Sequence, residues 1–188
     1  SWWRQTLRRQ RTSENDRSGD FFDVVIVGAG FAGMAMLHAV RGLGLRARVF
    51  EAGTDVGGTW YWNRYPGARC DIESMEYSYQ FSDELQREWK WSERFAAQPE
   101  LLRYASHVAD RFALRCDLVF ATRVLSAHII DDANEWVIGS DDHTRTRARN
   151  VVMATGCLSS TNLPAIEGRE RFAGRTFHTG AWPHEPVS

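Results

Sequence analysis

Residues 21–28, FFDVVIVG, are an almost unbroken run of aromatic and β-branched side chains, the pattern of a strand covered on both faces. Gly28 ends the run. Apolar residues then recur at helical spacing over 31–43, FAGMAMLHAVRGL, with small residues near the start and Gly42 and Gly44 at the exit. A second strand, RARVFEA, follows a short turn and completes a β-α-β unit of about 30 residues. From Thr54 to Gln80 neither period holds. That stretch is rich in Gly, Trp, Tyr and Arg, and a long irregular segment inside a compact domain usually binds something. Residues 99–114, PELLRYASHVADRFAL, put proline in a helix's first turn and repeat apolar residues at helical spacing. Strands near 118–130 and 135–140 are predicted to flank Asp131–Asn134 as a hairpin, and 148–154, ARNVVMA, reads as another buried strand. The order predicts an α/β layer architecture without internal repeats. Residues 1–20 lack sustained periodicity and read as a flexible arm, with at most one short helix carrying Trp2, Trp3 and Leu7.

Composition narrows the function classes. Hydrophobic residues make up 43% and charged residues 25% of the 188, with a net charge of -1, the profile of a soluble globular chain with no call for nucleic acid. Lys90 is the only lysine, so a positive patch would be built from guanidinium groups. Cys70, Cys116 and Cys157 are odd in number and widely spaced, which suggests neither a disulfide framework nor a metal site and fits a reducing cytoplasm. No apolar run reaches the length of a membrane helix, and the arginine-rich start lacks a secretory apolar stretch. With no initial methionine and no closing element at Pro186–Ser188, the chain reads as a fragment.

The sharpest local signal is Gly28-Ala29-Gly30-Phe31-Ala32-Gly33, between predicted strand and predicted helix. Gly28 permits the tight turn, Gly30 lets a pyrophosphate approach the backbone, and Gly33 lets helix pack on strand. The phosphates then meet the unpaired N–H groups and dipole of the helix N-terminus. Glu51, closing the second strand, is placed to accept hydrogen bonds from both ribose hydroxyls and would repel a 2'-phosphate, so FAD or NAD is expected there and not NADP. Gly57-Gly58 extends the pattern toward FAD; read alone, the pair is also compatible with an ordinary loop turn.

At residues 57–74, GGTWYWNRYPGARCDIES, the chain resembles the active-site segment of the Baeyer-Villiger monooxygenases. Phe172-Ala-Gly174-Arg-Thr-Phe-His178-Thr-Gly-Ala-Trp182-Pro183 is similar to their fingerprint FxGxxxHxxxW(P/D) at every specified position. N- and S-oxygenating flavin monooxygenases share the glycine pattern but carry Tyr or Phe where this chain has Trp182. The resemblance covers residues 21–186.

It implies a Rossmann-like FAD-binding domain of the two-dinucleotide-binding flavoprotein type, with a β-hairpin or meander beside the parallel sheet. Residues 1–20 would be the arm, 21–170 the FAD-binding domain, and 171–188 the fingerprint and the start of a linker to an NADPH-binding domain. The implied activity is FAD- and NADPH-dependent insertion of one oxygen atom of O2 next to a ketone carbonyl, giving an ester or lactone. The implied cofactor contacts are Gly28, Gly30, Phe31, Gly33, Glu51, Gly57, Gly58, Thr59, Trp60, Asp71 beside the flavin ring, and Tyr77, with Val124 meeting adenine through its backbone. Ala154, Thr155 and Gly156 of VVMATG would return to FAD. Asp71 resembles the aspartate that orients a catalytic arginine supplied by later sequence. Phe172, Gly174, His178, Trp182 and Pro183 take a domain-coupling role.

Other readings stand beside these. Asp71 reads equally as a carboxylate paired with Arg69 or Arg64, which at a surface contributes at most about 1 kcal/mol. His178 reads as a satisfied hinge histidine, and the tryptophan-rich loop as core packing. Alternative functions are an N- or S-oxygenating flavin monooxygenase and a non-catalytic dinucleotide-binding module. A disulfide oxidoreductase would need a redox-active cysteine pair, which the sequence lacks.

Overall fold

The computed structural model describes residues 21–187; the expected N-terminal arm lies outside them. Strands β1 (Phe21–Val27), β2 (Ala47–Phe50), β3 (Leu118–Val119), β4 (Val124–Ile130), β5 (Glu135–Ser140) and β6 (Arg145–Met153) form one sheet in the order β3-β2-β1-β6-β5-β4. The first four strands in that order pair parallel, and β6, β5 and β4 continue as an antiparallel meander. The expected α/β class with an attached hairpin is what the chain adopts. Among the described residues no helix is long and apolar enough to cross a membrane.

Helix α1 (Phe31–Gly42) buries Gly33, Met34, Leu37 and Val40, one face at helical spacing. It stops because Gly44 enters the left-handed region at φ 73°, where Gly44 N–H bonds Arg41 O at 2.8 Å and Leu45 N–H bonds Val40 O at 3.1 Å, the double closure that glycine makes possible. Gly42, expected to share the exit, stays in the last turn. After the single-turn α2 (Thr59–Trp62) and the short α3 (Asp83–Glu88), α4 (Gln98–Arg111) buries Leu101, Tyr104, Ala105, Val108 and Ala109. The main core lies between this face, α1 and the sheet, with Ile26, Leu37, Ala105 and Val108 fully buried.

Two strand expectations need correction. The single strand expected over 118–130 is two strands at opposite edges of the sheet: β3 pairs with β2, and β4 pairs with β5. The break is backbone chemistry. Ala121, at φ 50°, gives its N–H to Gly53 O at 2.8 Å, and Thr122 gives its N–H to Glu51 O at 2.9 Å, so the segment leaves the ladder to bind the loop after β2. The strand expected over 148–154 begins earlier, at Arg145, and is not buried at its end, where Met153 is 62% exposed. The Asp131–Asn134 connection does form the hairpin turn, with Asn134 at φ 48°.

Candidate functional site

Three parallel strands end together: Val27 of β1 lies opposite Phe50 of β2 on one side and Met153 of β6 on the other. The order of connections reverses at β1, and α/β sheets bind ligands at the carboxyl ends of strands at such a point. Gly28 follows immediately, its N–H on Phe50 O at 2.8 Å, while Ala154 N–H reaches Val27 O at 2.9 Å. Gly28 sits at φ 103°, and a Cβ there would lie 2.6 Å from Ala154 O. Thus Ala154 completes the turn from the far end of the chain, and the exposed Thr155 and Gly156 follow it, with Gly156 at φ 73°.

Gly33 brings the helix onto the turn, since a Cβ there would fall 1.9 Å from Gly28 O. Gly30 faces Gly58: a Cβ on Gly58 would stand 2.8 Å from Gly30 Cα. Gly57 and Gly58 hold φ of 126° and 56°, and Gly57 N–H donates to Ala29 O at 3.1 Å. Two backbones therefore meet with no side chain between them, beside a helix start whose N-cap, Gly30, supplies no side-chain acceptor and whose first turn holds no acid. Uncompensated N–H groups there favour an anion. A dinucleotide pyrophosphate fits this cradle on both counts, close backbone approach and unpaired donors.

Glu51 is 5% exposed, and both of its oxygens are engaged: Oε2 accepts from Ala29 N at 2.7 Å and Oε1 from Gly53 N at 2.7 Å. Each oxygen keeps a second lone pair beyond these bonds. Glu51 thus also braces the glycine turn, a role its place in the sequence does not signal. Thr122, bonded to Glu51 O, leads directly into the half-buried Val124, which opens β4 opposite Ser140.

The aromatic residues divide between two surroundings. The Phe31 ring is turned away from the turn into a cluster, 5.4 Å from Tyr77 and 5.6 Å from Tyr79, and Tyr79 Oη donates to Phe31 O at 2.6 Å. Burial pushes the Tyr77 and Tyr79 phenols up, keeping both neutral. Trp60, 7% exposed, packs with Cys70, Ala96 and Leu101, and its carbonyl accepts from Gln98 Nε2 at 2.5 Å. Its ring is part of the core, whereas Thr59 and Trp62 are only half-buried.

Asp71 is exposed and pairs with neither arginine considered for it. Arg69 bonds Glu93 at 2.8 Å, and Arg64 Nε donates to Tyr61 O at 2.7 Å with its guanidinium over the Tyr61 ring. The Asp71 loop is held instead through buried Ser74, whose Oγ donates to Glu93 O at 2.7 Å and accepts from Ala96 N at 2.8 Å. In the fingerprint, His178 Nδ1 accepts from Gly180 N at 3.0 Å and Trp182 packs on Phe177 at 5.3 Å. Gly174 leaves room for the ring of Phe172, itself 64% exposed, and Pro183 is half-buried. His184, just beyond, sets its ring 5.6 Å from Tyr61, so the fingerprint ends against α2.

A family model described as pyridine nucleotide-disulphide oxidoreductase matches residues 25–185. A Baeyer-Villiger monooxygenase of Pseudooceanicola batsensis is 43% identical over 173 residues, 91% of this chain and 32% of that protein. Phenazine N-monooxygenase PhzNO1 of Lysobacter antibioticus is 43% identical over 90% of this chain and 31% of its own length. Among solved structures, an oxidized steroid monooxygenase bound to NADP superposes with a TM-score of 0.82 at 53% identity, covering 89% of this chain and 32% of that one. OTEMO in complex with FAD and NADP gives 0.80 at 41% identity, covering 86% and 30%. The chain spans about a third of the length of the curated relatives it matches.

Proposed function

This chain belongs to the pyridine nucleotide-disulphide oxidoreductase family, and from that premise we propose that it supplies the FAD-binding part of a FAD- and NADPH-dependent Baeyer-Villiger monooxygenase. The observation that carries the reading is the meeting of Gly28–Gly33, Gly57-Gly58 and Ala154, whose backbones approach too closely for a side chain, beside a helix start with no side-chain cap and no acid in its first turn. Dithiol chemistry is not part of it, because Cys70, Cys116 and Cys157 are widely spaced and form no CxxC pair.

FAD, when bound, supplies the redox chemistry and the reaction with O2. The chain's own residues bind and orient. The first turn of α1 and Gly30 hold the pyrophosphate, Glu51 accepts the ribose hydroxyls, and the 120–124 segment lies alongside for adenine. Glu51 disfavours a 2'-phosphate, so NADPH takes a separate site in the whole protein. Asp71, exposed and unpaired with Arg64 or Arg69, is free to orient a guanidinium brought from outside this chain. His178, capping the turn at Thr179–Ala181, stiffens the fingerprint where it couples domains. The substrates are a ketone and O2.

A second reading, N-oxygenation, is favoured by the relative acting on phenazine, while Trp182 favours the first. Heat release of the ligand from the purified protein should give a flavin spectrum, and the whole protein with NADPH and a cyclic ketone should yield a lactone. NAD without flavin would overturn the reading, and N-oxide formation without lactone would select the second. Glu51→Arg should lower FAD affinity at least about 100-fold, because it strands the Ala29 and Gly53 amides and adds a cation beside them. Fluorescence titration with unchanged affinity would remove Glu51 from the site.

A further inference from the structure

We infer that Arg115 is a positioning residue that clamps the Gly57-Gly58 loop against the glycine turn, an inference that rests on the dinucleotide reading of that turn. Arg115 stands in the short turn Leu114–Asp117 after α4, and each of its three guanidinium nitrogens reaches a different partner. Nη1 donates to Asp55 Oδ1 at 2.6 Å, Nε to Asp110 Oδ1 at 2.6 Å, and Nη2 to Ser106 Oγ at 2.8 Å. Ser106 and Asp110 lie on α4, whereas Asp55 belongs to the loop after β2, so the guanidinium ties that loop to a packed helix.

Asp55 passes the constraint onward. Its Oδ1 also accepts from Val56 N at 2.7 Å, Val56 is fully buried, and Gly57 N–H then reaches Ala29 O. Leu102 of α4 closes the other side, its Cδ1 standing where a Gly57 Cβ would be only 2.6 Å away. Gly58 is delivered against Gly30 at the end of this chain of contacts.

Magnitudes decide what the clamp is for. The Arg115 and Asp55 side chains are 34% and 45% exposed, and pairs this exposed add little to global stability. The Gly58 to Gly30 approach, in contrast, leaves no slack for a loop that drifts, and a site that must be re-ordered on binding loses affinity. Removing the clamp should therefore cost cofactor affinity more than folding stability. A lysine cannot replace it, because one ammonium cannot face Asp55, Asp110 and Ser106 in the fork geometry.

The test uses Arg115→Gln, Arg115→Lys and Asp55→Asn, with Glu84→Gln on the exposed surface of α3 as control. Amide hydrogen exchange in the FAD-free protein should speed up in residues 56–60 for all three variants while α4 and β1 keep their protection. The FAD dissociation constant should rise about tenfold, and Arg115→Gln combined with Asp55→Asn should be no worse than either alone. Unchanged exchange in residues 56–60, additive losses, or full rescue by lysine would overturn the clamp. A parent protein that binds no FAD would instead overturn the dinucleotide reading, and the exchange measurement would still decide on the clamp.

Discussion

Gly33→Ala is expected to destabilise the protein by about 3 kcal/mol or more and to abolish FAD binding. Helix propensity alone gives the opposite sign, since alanine in a helix interior is favoured over glycine by about 1 kcal/mol. Sterics win. The new Cβ would stand 1.9 Å from Gly28 O and 3.0 Å from Gly28 C, both backbone atoms that cannot rotate aside. Relief requires α1 to lift off β1, which opens the core at Met34 and Leu37 and moves the helix N-terminus away from Gly28. Gly42→Ala is the matched control: nothing lies within 4 Å of its Cβ position, so propensity should prevail and stability rise by up to about 1 kcal/mol. Urea unfolding of the FAD-free variants, followed by tryptophan fluorescence, measures both. A Gly33→Ala midpoint equal to the parent's would show that helix and strand are not in this contact.

Asp71→Ala in the whole protein should keep FAD and lose at least about 100-fold in oxygenation, the scale of removing one electrostatic group from a site that the rest of the protein closes over this exposed carboxylate. Neither Arg64 nor Arg69 pairs with it, so among the described residues no ion pair is broken by the change. Stability should move by less than about 0.5 kcal/mol, as for an exposed surface residue. FAD content, melting temperature and lactone formation separate the outcomes. Normal turnover would reduce Asp71 to a surface carboxylate, and loss of FAD would place it among the cofactor contacts.

The β-α-β unit was legible because its signals are local: an apolar run, three glycines and an acid at the end of β2, each acting over a few residues. The hairpin at Asp131–Asn134 was legible for the same reason. The split of 118–130 was not, because the residues that break it are Ala121 and Thr122, which have no turn chemistry of their own; they leave the strand to bond Gly53 and Glu51, far away in sequence. The same limit hid two features of the site. The sequence marks Glu51 only as a candidate ribose acceptor, and its bond to Ala29 N depends on how β1 and β2 align. Arg115 is one arginine in a basic-rich helix exit, and its bond to Asp55 spans 60 positions. Trp60 shows the converse, a motif residue whose ring the fold places in the core among Cys70, Ala96 and Leu101.

The closure of Gly28 by Ala154 dictates when the protein gains its ligand. β1 and β2 can dock early, but the turn lacks one wall until β6 slots in beside β1, a contact that Asn150 and Asp23 make across 127 positions. Contacts so distant along the chain form late and slowly. During synthesis from the N-terminus, the nascent polypeptide is therefore expected to display the whole glycine motif before the turn that would hold the cofactor is complete, which happens only once β6 has left the ribosome. A ligand that binds only the completed turn should then stabilise the paired β1 and β6 over any state in which β6 is undocked.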